Sequence, residues 1–304
     1  MNRRSFIKNT GWAAGLIANS DAIPLSKKIK MNIKILQTNW GFSGSDDELC
    51  KKTKESGYDG LEMWWPADSA AQKSLFTALQ KYELEVGFLI GSGEGQDYNK
   101  HYTSFEKSLL AASTNSVQKP LYINSHSGRD YYSFDQNSKI IELTINQAKK
   151  TGLKILHETH RGRMCFAAHI TRSFLDKYPD MQLTLDISHW CNVHESLLAD
   201  QSENVNFALT RTKHIHARVG HEEGPQINDP RAPEWTETIN THLKWWDKVI
   251  ELNESKGNPS FTFLTEFGPP NYMQALPYTR QPVADLWHVN VHMLNLLRKR
   301  YQKG

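Results

Sequence analysis

From residue 32 onward the chain alternates short apolar or β-branched runs with longer segments of helical period. This alternation indicates parallel strands joined by crossover helices. Eight such units in roughly 270 residues predict an α/β fold of the (β/α)8 TIM-barrel type, with an active site at the carboxyl ends of the strands. The candidate strands are 32–39, 59–65, 84–91, 120–128, 153–160, 182–189, 214–220 and 260–268.

The segments between these runs are the candidate helices, and several end in Gly or Pro, as at Gly57, Gly152 and Pro179. An open doubly wound sheet is the alternative, but no Gly-x-Gly-x-x-Gly motif follows the first strand to support it. No internal boundary interrupts the pattern, so residues 30–304 are predicted to form a single domain. The candidate helices are 46–57, 69–82, 102–114, 136–152, 166–179, 194–211, 235–257 and 282–302.

Residues 1–29 are expected to be an export signal and a linker rather than part of the fold. The segment begins with the pair Arg3 and Arg4, continues with a short apolar run, and reaches small residues around 18–22. This order is typical of a secretory signal, and the arginine pair resembles the twin-arginine type. A basic tail is the alternative. The expected location is therefore the periplasm. The sequence contains no apolar stretch of 18 residues, so no membrane span is predicted.

Charge and cysteine content exclude other classes of function. The formal net charge is +3, and the basic residues are scattered rather than gathered on one stripe, so no nucleic-acid partner is expected. The three cysteines, Cys50, Cys165 and Cys191, lack the paired spacing of a zinc knuckle and do not suggest a disulfide framework.

Polar side chains stand near the carboxyl ends of the predicted strands. A carboxylate buried at such a place must be paired or must bind a metal. Three carboxylates and one imidazole on the last four strands suit one divalent ion, Mn²⁺, Mg²⁺, Co²⁺ or Zn²⁺. The pattern therefore predicts a catalytic metal site, although each residue alone is equally explained by a salt bridge at a strand end. The four candidate ligands are Glu158, Asp186, His216 and Glu266.

The segments "HETH", "LDISHW", "HIHAR" and "TEFG" resemble the xylose isomerase-like barrel superfamily of sugar phosphate isomerases and epimerases. The resemblance covers nearly the whole chain after residue 30. It implies that Glu158, Asp186, His216 and Glu266 hold the metal, and that His189 contacts a substrate oxygen. His214 remains an alternative ligand, because strand alternation places it on the same face as His216.

The resemblance implies a metal-dependent isomerase or epimerase that removes a proton beside the carbonyl of a free sugar or keto-sugar, through a metal-stabilised enediolate. Glu158 and Glu266 are the candidate catalytic acid and base. One departure concerns Arg218, which follows the ligand histidine by two residues and precedes a long polar loop over 221–231. The candidate substrate-binding residues are His189, Arg218, His126, His160, Trp190 and Glu62, with Trp40, Trp64, Trp65 and Trp235 as further aromatic candidates for a sugar pocket.

Three other functions remain open. A 3-keto-glycoside lyase or hydrolase would use the same metal and base for β-elimination. A phosphodiesterase like endonuclease IV would need further metal ligands, for which Glu62, His126, His189 and His221 are available. A non-catalytic sugar-binding protein is the third. The expected partner in each reading except the phosphodiesterase is a small carbohydrate, and the sequence leaves the oligomeric state open, a homo-oligomer included.

Overall fold

Eight parallel strands close into a barrel in the computed structural model, which describes residues 31–302. Each strand pairs with its neighbours in sequence, and the first pairs with the last. The predicted (β/α)8 TIM barrel is confirmed. The strands are β1 (Asn32–Thr38), β2 (Gly60–Trp64), β3 (Glu85–Gly91), β4 (Ile123–His126), β5 (Ile155–Glu158), β6 (Leu183–Leu185), β7 (Thr212–His216) and β8 (Ser260–Thr265).

Helices follow every strand, and several begin at side-chain caps that the sequence supplies, such as the capping boxes at Ser45 and Ser133. None of the helices within residues 31–302 combines the length and hydropathy that a membrane crossing requires. The proposed export segment, 1–29, lies outside the described residues. The helices are α1 (Asp46–Glu55), α2 (Ser69–Lys81), α3 (Tyr98–Thr114), α4 (Phe134–Thr151), α5 (Ala168–Lys177), α6 (Ile187–Val193), α7 (Ser202–Leu209), α8 (Thr236–Ser255) and α9 (Leu286–Tyr301), with 3₁₀ turns at Ala199–Gln201 and Pro233–Trp235.

The sixth strand and the segment after it differ from the prediction. The strand predicted over 182–189 ends at Leu185, because Asp186 accepts a hydrogen bond from the Ser188 backbone N–H and caps a helix that begins at Ile187. His189 therefore lies on a helix rather than on a strand end. The single helix predicted over 194–211 is also wrong: Leu198 has a positive φ of 60°, which separates α6 from α7.

The interior of the barrel contains a small apolar group beneath the polar strand ends. Tyr122 lies in this group with Leu36, Leu156 and Leu264. Its ring packs on Gly87, where any Cβ would lie 2.4 Å from a ring carbon. Glycine is therefore required at this position of β3, because a larger residue would displace the tyrosine from the barrel interior.

A second close approach holds the segment that follows β7 against the start of α6. A Cβ on Gly220 would lie 2.6 Å from the Ser188 carbonyl oxygen, so only glycine fits. The Gly220 backbone N–H donates to Nε2 of the buried His242 at 3.2 Å, and His242 Nδ1 is 2.9 Å from the Thr238 carbonyl oxygen. This pairing requires neutral imidazole, with Nδ1 as the donor.

Burial lowers the pKa of His242 from its ordinary value of 6.5 to about 4, although the Thr238 carbonyl opposes the shift. The unfolded chain binds the proton more readily, so this contribution to stability is complete above pH ~6.5 and is lost as the pH falls toward 4, by up to about 1.4 kcal/mol per pH unit. We expect His242→Gln to unfold with a correspondingly weaker dependence on pH in urea titrations. The exposed His169→Gln is the control, and a slope equal to that of the parent in the His242 variant would contradict the expectation.

Candidate active site

Three of the predicted metal ligands converge at the carboxyl end of the barrel. Glu158 ends β5, Asp186 directly follows β6, and His216 ends β7. All three are buried, and one ligand atom from each lies within 4.8 Å of the other two. Consecutive parallel strands deliver these side chains to one edge of the sheet, so residues separated by up to 58 positions in sequence become neighbours (158 to 216).

Glu266 directly follows β8 and approaches the same cluster. Its Oε2 lies 2.7 Å from His216 Nδ1 and 3.1 Å from Arg218 Nη2. The contact with His216 lacks hydrogen-bond geometry, which leaves Nδ1 without a hydrogen-bond partner. The fourth predicted ligand thus stands beside the other three through its contact with the imidazole.

Glu62, which the sequence assigned to substrate binding, lies on the other side of His216. Its Oε1 is 3.2 Å from His216 Nε2, and its Oε2 accepts a hydrogen bond from Tyr122 Oη at 2.8 Å. A carboxylate facing Nε2 favours the tautomer with its proton there, which leaves Nδ1 as the ligand atom. His214 lies deeper, with Nδ1 2.8 Å from Thr262 Oγ1.

Arg218 is the most unusual member of the cluster. The side chain is 1% exposed, and its Nη2 contacts both Asp186 Oδ2 and Glu266 Oε2. The guanidinium therefore lies between two of the predicted ligands instead of standing at the rim of the barrel. The same Nη2 is 3.3 Å from His189 Nε2. Because an arginine keeps its charge, it offsets part of the negative charge buried here.

The pKa values of the cluster reflect burial and opposed charges. Burial works against charged His216, but Glu266, Glu62 and Glu158 outweigh it and raise the pKa of the imidazole well above its usual value. Burial also works against ionised Glu158, but His126 and His216 lower the pKa of that carboxyl well below its usual value. These groups stabilise one another as opposite charges at short range.

Asp186 differs, because burial raises its pKa to about 6 and Arg218 only partly opposes this. Four buried carboxylates, those of Glu62, Glu158, Asp186 and Glu266, thus surround one guanidinium and one imidazolium. The cluster has more anionic groups than cationic ones, and a divalent cation would balance them.

The donor atoms also fit such an ion. Glu158 Oε1 and His216 Nδ1 are buried, make no hydrogen bond, and lie 3.7 Å apart. Two ligands that are each about 2.1 Å from a common ion lie about 3 to 4 Å apart. Carboxylate oxygens with one imidazole nitrogen suit Mn²⁺, Mg²⁺, Co²⁺ or Zn²⁺. These residues therefore fit a single divalent metal.

A cavity of about 420 Å³ opens above the cluster and is lined by Glu62, His126, His160, Arg218 and Glu266 together with aromatic rings. Those rings belong to Trp40, Trp64 and Tyr272, and Trp64 is 51% exposed. The size and the mixture of rings and polar groups suit a sugar-sized ligand.

Two of the other aromatic candidates lie elsewhere. Trp190 is fully buried in the apolar core, where its Nε1 donates to the Cys165 carbonyl oxygen at 2.9 Å. Trp65 packs edge-on against Phe88 at 5.0 Å between ring centroids. Neither ring lines the cavity over the cluster.

Three histidines form a row from the cavity toward Arg218. The ring centroids of His126 and His160 are 4.8 Å apart, and those of His160 and His189 are 3.8 Å apart. His126 Nε2 is 3.0 Å from Glu158 Oε2. Burial lowers the pKa of both His160 and His189 well below the usual value, so these two rings are neutral near pH 7.

Two site residues escaped the sequence interpretation. Asn124 Nδ2 donates to Glu158 Oε2 at 2.7 Å and holds that carboxylate. Its alternation with His126 on one strand was the available clue. Tyr272 lies in the loop after β8, with its ring 4.7 Å from the Arg218 guanidinium. No strand pattern extends to that position, so nothing in the sequence pointed to it.

The polar loop after β7 reaches across to the end of β8. Gln226 Nε2 donates to the Gly268 carbonyl oxygen at 3.1 Å, and the Gly268 N–H donates to Gln226 Oε1 at 2.7 Å. Gly268 also lies against Trp40, since a Cβ there would be 2.3 Å from a ring carbon. The loop thereby fixes the backbone beside Glu266 and the wall of the cavity.

Solved structures with this architecture come from several enzymes. A 3-keto-D-glucoside 4-epimerase from E. coli is 14% identical, with a TM-score of 0.60 over 88% of this chain and 100% of that chain. A xylose isomerase-like TIM barrel protein from Mycobacterium smegmatis in complex with magnesium is 13% identical, with a TM-score of 0.60 over 88% and 95%. An AP endonuclease, family 2, from Brucella melitensis is 15% identical, with a TM-score of 0.57 over 78% and 93%.

The chain shares its (β/α)8 TIM-barrel fold with these proteins, one of which is described as xylose isomerase-like. No protein-family model matches it, and no curated protein matches its sequence. At 13–15% identity, the likeness to these structures concerns the fold, and the activity must be argued from the site itself.

We expect the chelator-treated protein to bind one Mn²⁺ per chain in titration calorimetry. Asp186→Asn should weaken binding by more than tenfold, because it removes a charged ligand, and Glu62→Gln by about tenfold, because it weakens the group that orients His216. Affinity should rise with pH, since the ion displaces the His216 proton.

Asp180→Asn is the matched control for these titrations. Asp180 lies on the surface, 2.8 Å from Lys149 Nζ, and its removal should leave Mn²⁺ affinity unchanged. Parental affinity in Asp186→Asn, or no binding by the parent protein, would refute the metal site. Two or three bound ions would favour the phosphodiesterase.

Proposed function

We propose that this protein is a divalent-metal-dependent sugar isomerase or epimerase that acts on a free sugar or keto-sugar. The observation that carries the proposal is the cluster of Glu158, Asp186 and His216 at the barrel mouth, in which Glu158 Oε1 is buried without a hydrogen bond and lies 3.7 Å from His216 Nδ1. A purely structural charge cluster would pair the buried Glu158 Oε1 with a hydrogen-bond donor.

The residues that would hold the ion are Glu158, Asp186, His216 and Glu266. When bound, such an ion supplies Lewis acidity to a substrate carbonyl and offsets the negative charge that develops during proton removal. Glu62 faces Nε2 of His216, which would leave Nδ1 to bind the ion, and Asn124 donates a hydrogen bond to Glu158. These contacts would orient the donor atoms before the metal ion binds.

Proton transfer is assigned to the two glutamates. Glu266 lines the cavity and is 9% exposed, so its carboxylate can reach a substrate C–H directly. Glu158 is more deeply buried, but one oxygen contacts His126, which lines the same cavity. A substrate in the cavity would meet the Glu266 carboxylate directly and the Glu158 carboxylate through His126, so proton removal and return would use different groups.

A neutral imidazole and the arginine would position the sugar. His160 lines the cavity, and its lowered pKa lets it accept or donate a hydrogen bond to a hydroxyl group without adding charge. His189, the predicted contact to a substrate oxygen, is fully buried behind His160, and its ring does not line the cavity. Arg218 is held by Asp186 and lines the cavity floor, where a guanidinium N–H can polarise an oxygen. The exposed ring of Trp64 offers an apolar face to the C–H side of a sugar.

The phosphodiesterase reading is less well supported. Three potential metal-binding groups occur within residues 31–302, but two share His216 and two share Glu158. Because a carboxylate can bridge two ions, these overlapping groups do not decide the number of ions. The small net charge of +3, with basic residues scattered along the sequence, is what argues against a nucleic-acid substrate. The proposal also retains export to the periplasm, for which the twin-arginine-like start of the sequence is the support.

The test is hydrogen exchange in D₂O, followed by proton NMR, on Mg²⁺-loaded protein offered a panel of ketoses and 3-keto-glycosides. We expect deuterium beside the carbonyl and an intact sugar skeleton. Glu266→Gln and Glu158→Gln should slow exchange by about 10²-fold or more, the typical contribution of a positioned acid or base.

The exposed Glu237→Gln should exchange at the parental rate, since this side chain lies on the outer surface of α8. Release of the aglycone from a 3-keto-glycoside would establish the lyase instead. If no substrate exchanges, or if both glutamine variants match the parent, proton abstraction at this site is refuted.

A further inference from the structure

A second cavity adjoins the one above the metal cluster. It has a volume of about 430 Å³ and lies between the loops that follow β3, β4 and β5. Trp64, Leu89 and His126 line both cavities, so a single ligand can extend from one into the other. The second cavity is lined by no acidic side chain from residues 31–302, whereas two arginines, Arg129 and Arg163, face it.

These two arginines lack the partners that such groups usually have. Within the part of the chain that the structure describes, neither has a carboxylate oxygen within 4.0 Å, and the Nε of each is buried without a hydrogen bond. Each donates only to one backbone carbonyl, Arg129 to Ser92 at 3.3 Å and Arg163 to Gly162 at 3.4 Å. A guanidinium has five N–H donors, so most of this capacity is unused.

The two charges also act on each other. Burial lowers the pKa of Arg163 and the nearby Arg129 lowers it further, whereas Glu158 and Asp130, both beyond 4.0 Å, only partly oppose the shift. Two like charges in a partly buried site are unfavourable unless an anion lies between or beside them. Other arginines of the chain have such partners: Arg300 contacts Asp247, and Arg231 contacts Asp229.

The loop after β3 also lines this cavity. Gly93 belongs to the loop after β3, and a Cβ added there would meet nothing within 4 Å. The neighbouring Ser92 and Ser108 supply hydroxyl groups to the lining. The cavity therefore has room for a polar group of a ligand and is lined by two guanidinium groups.

We infer that the second cavity binds an oxyanion group, a carboxylate or a phosphate, of the substrate whose sugar ring lies over the metal cluster. Two guanidinium groups can each bind an oxyanion through parallel N–H donors, which gives both charge neutralisation and orientation. The inference rests on the proposed function and narrows its substrate class to acidic sugars. Arg129 and Arg163 are thus substrate-binding residues that set specificity.

The experiment is titration calorimetry of the metal-loaded protein with D-glucose, D-glucuronate, D-glucose 6-phosphate and inorganic phosphate. We expect at least one anionic ligand to bind ten times or more tightly than glucose. Arg129→Gln and Arg163→Gln should each weaken the anionic ligand about tenfold and leave glucose unchanged, because each removes charge-assisted hydrogen bonds. A preference for glucuronate identifies a carboxylate ligand, and a preference for the phosphates identifies a phosphorylated one.

Two further variants guard against indirect effects. Arg172→Gln removes the same charge from the surface, where the side chain pairs with Asp176, and should bind every ligand as the parent does. Arg163→Lys keeps the charge and should retain more affinity than Arg163→Gln, whereas a variant that merely disturbs the loop would not be rescued.

The inference is overturned if no anionic ligand binds more tightly than glucose, or if Arg129→Gln and Arg163→Gln match the parent. These outcomes are separate from the D₂O test, because the titration needs no turnover. Arginine-dependent binding without hydrogen exchange would support the anion site and refute the isomerase. Hydrogen exchange without arginine-dependent binding would support the isomerase and refute the anion site.

Discussion

The constraint on which the site depends is the burial of four carboxylates at one end of a closed barrel. Burial disfavours their charge, and the structure compensates with Arg218, which contacts Asp186 and Glu266. His216 adds a second positive charge in the absence of an ion. These two positive charges do not balance the four carboxylates, and Glu158 Oε1 is buried without a hydrogen bond. A divalent cation at this place would therefore stabilise the folded protein as well as serve a reaction.

Much of the fold followed from the sequence because the barrel repeats one local rule eight times. Each buried parallel strand is a short apolar run, and each crossover is a helix with its own start and stop residues. The rule failed where a strand was only three residues long. Ile187 continues the β-branched pattern past Leu185, but the Asp186 side chain caps the backbone and starts a helix. Hydrogen bonding at one cap outweighed the residue preferences of the next positions.

The sequence predicted those site residues that lie at the ends of strands. Glu158 and His216 end strands, so their convergence follows from barrel geometry. The position of Arg218 between two carboxylates did not follow, because it depends on side-chain paths in a shared cavity rather than on strand order. Tyr272 was beyond reach for another reason: it belongs to a loop whose course is set by contacts such as Gln226 with Gly268.

The two adjoining cavities at the mouth of the barrel differ in the charge of the side chains that line them. The floor beneath the first is rich in carboxylates, whereas the second is lined by Arg129 and Arg163 and by no acidic side chain of residues 31–302. This difference in charge would not orient a neutral ligand. A ligand with an oxyanion at one end would be drawn to the arginines and repelled by the carboxylates, so its carbonyl end would reach the proposed metal site in a single orientation.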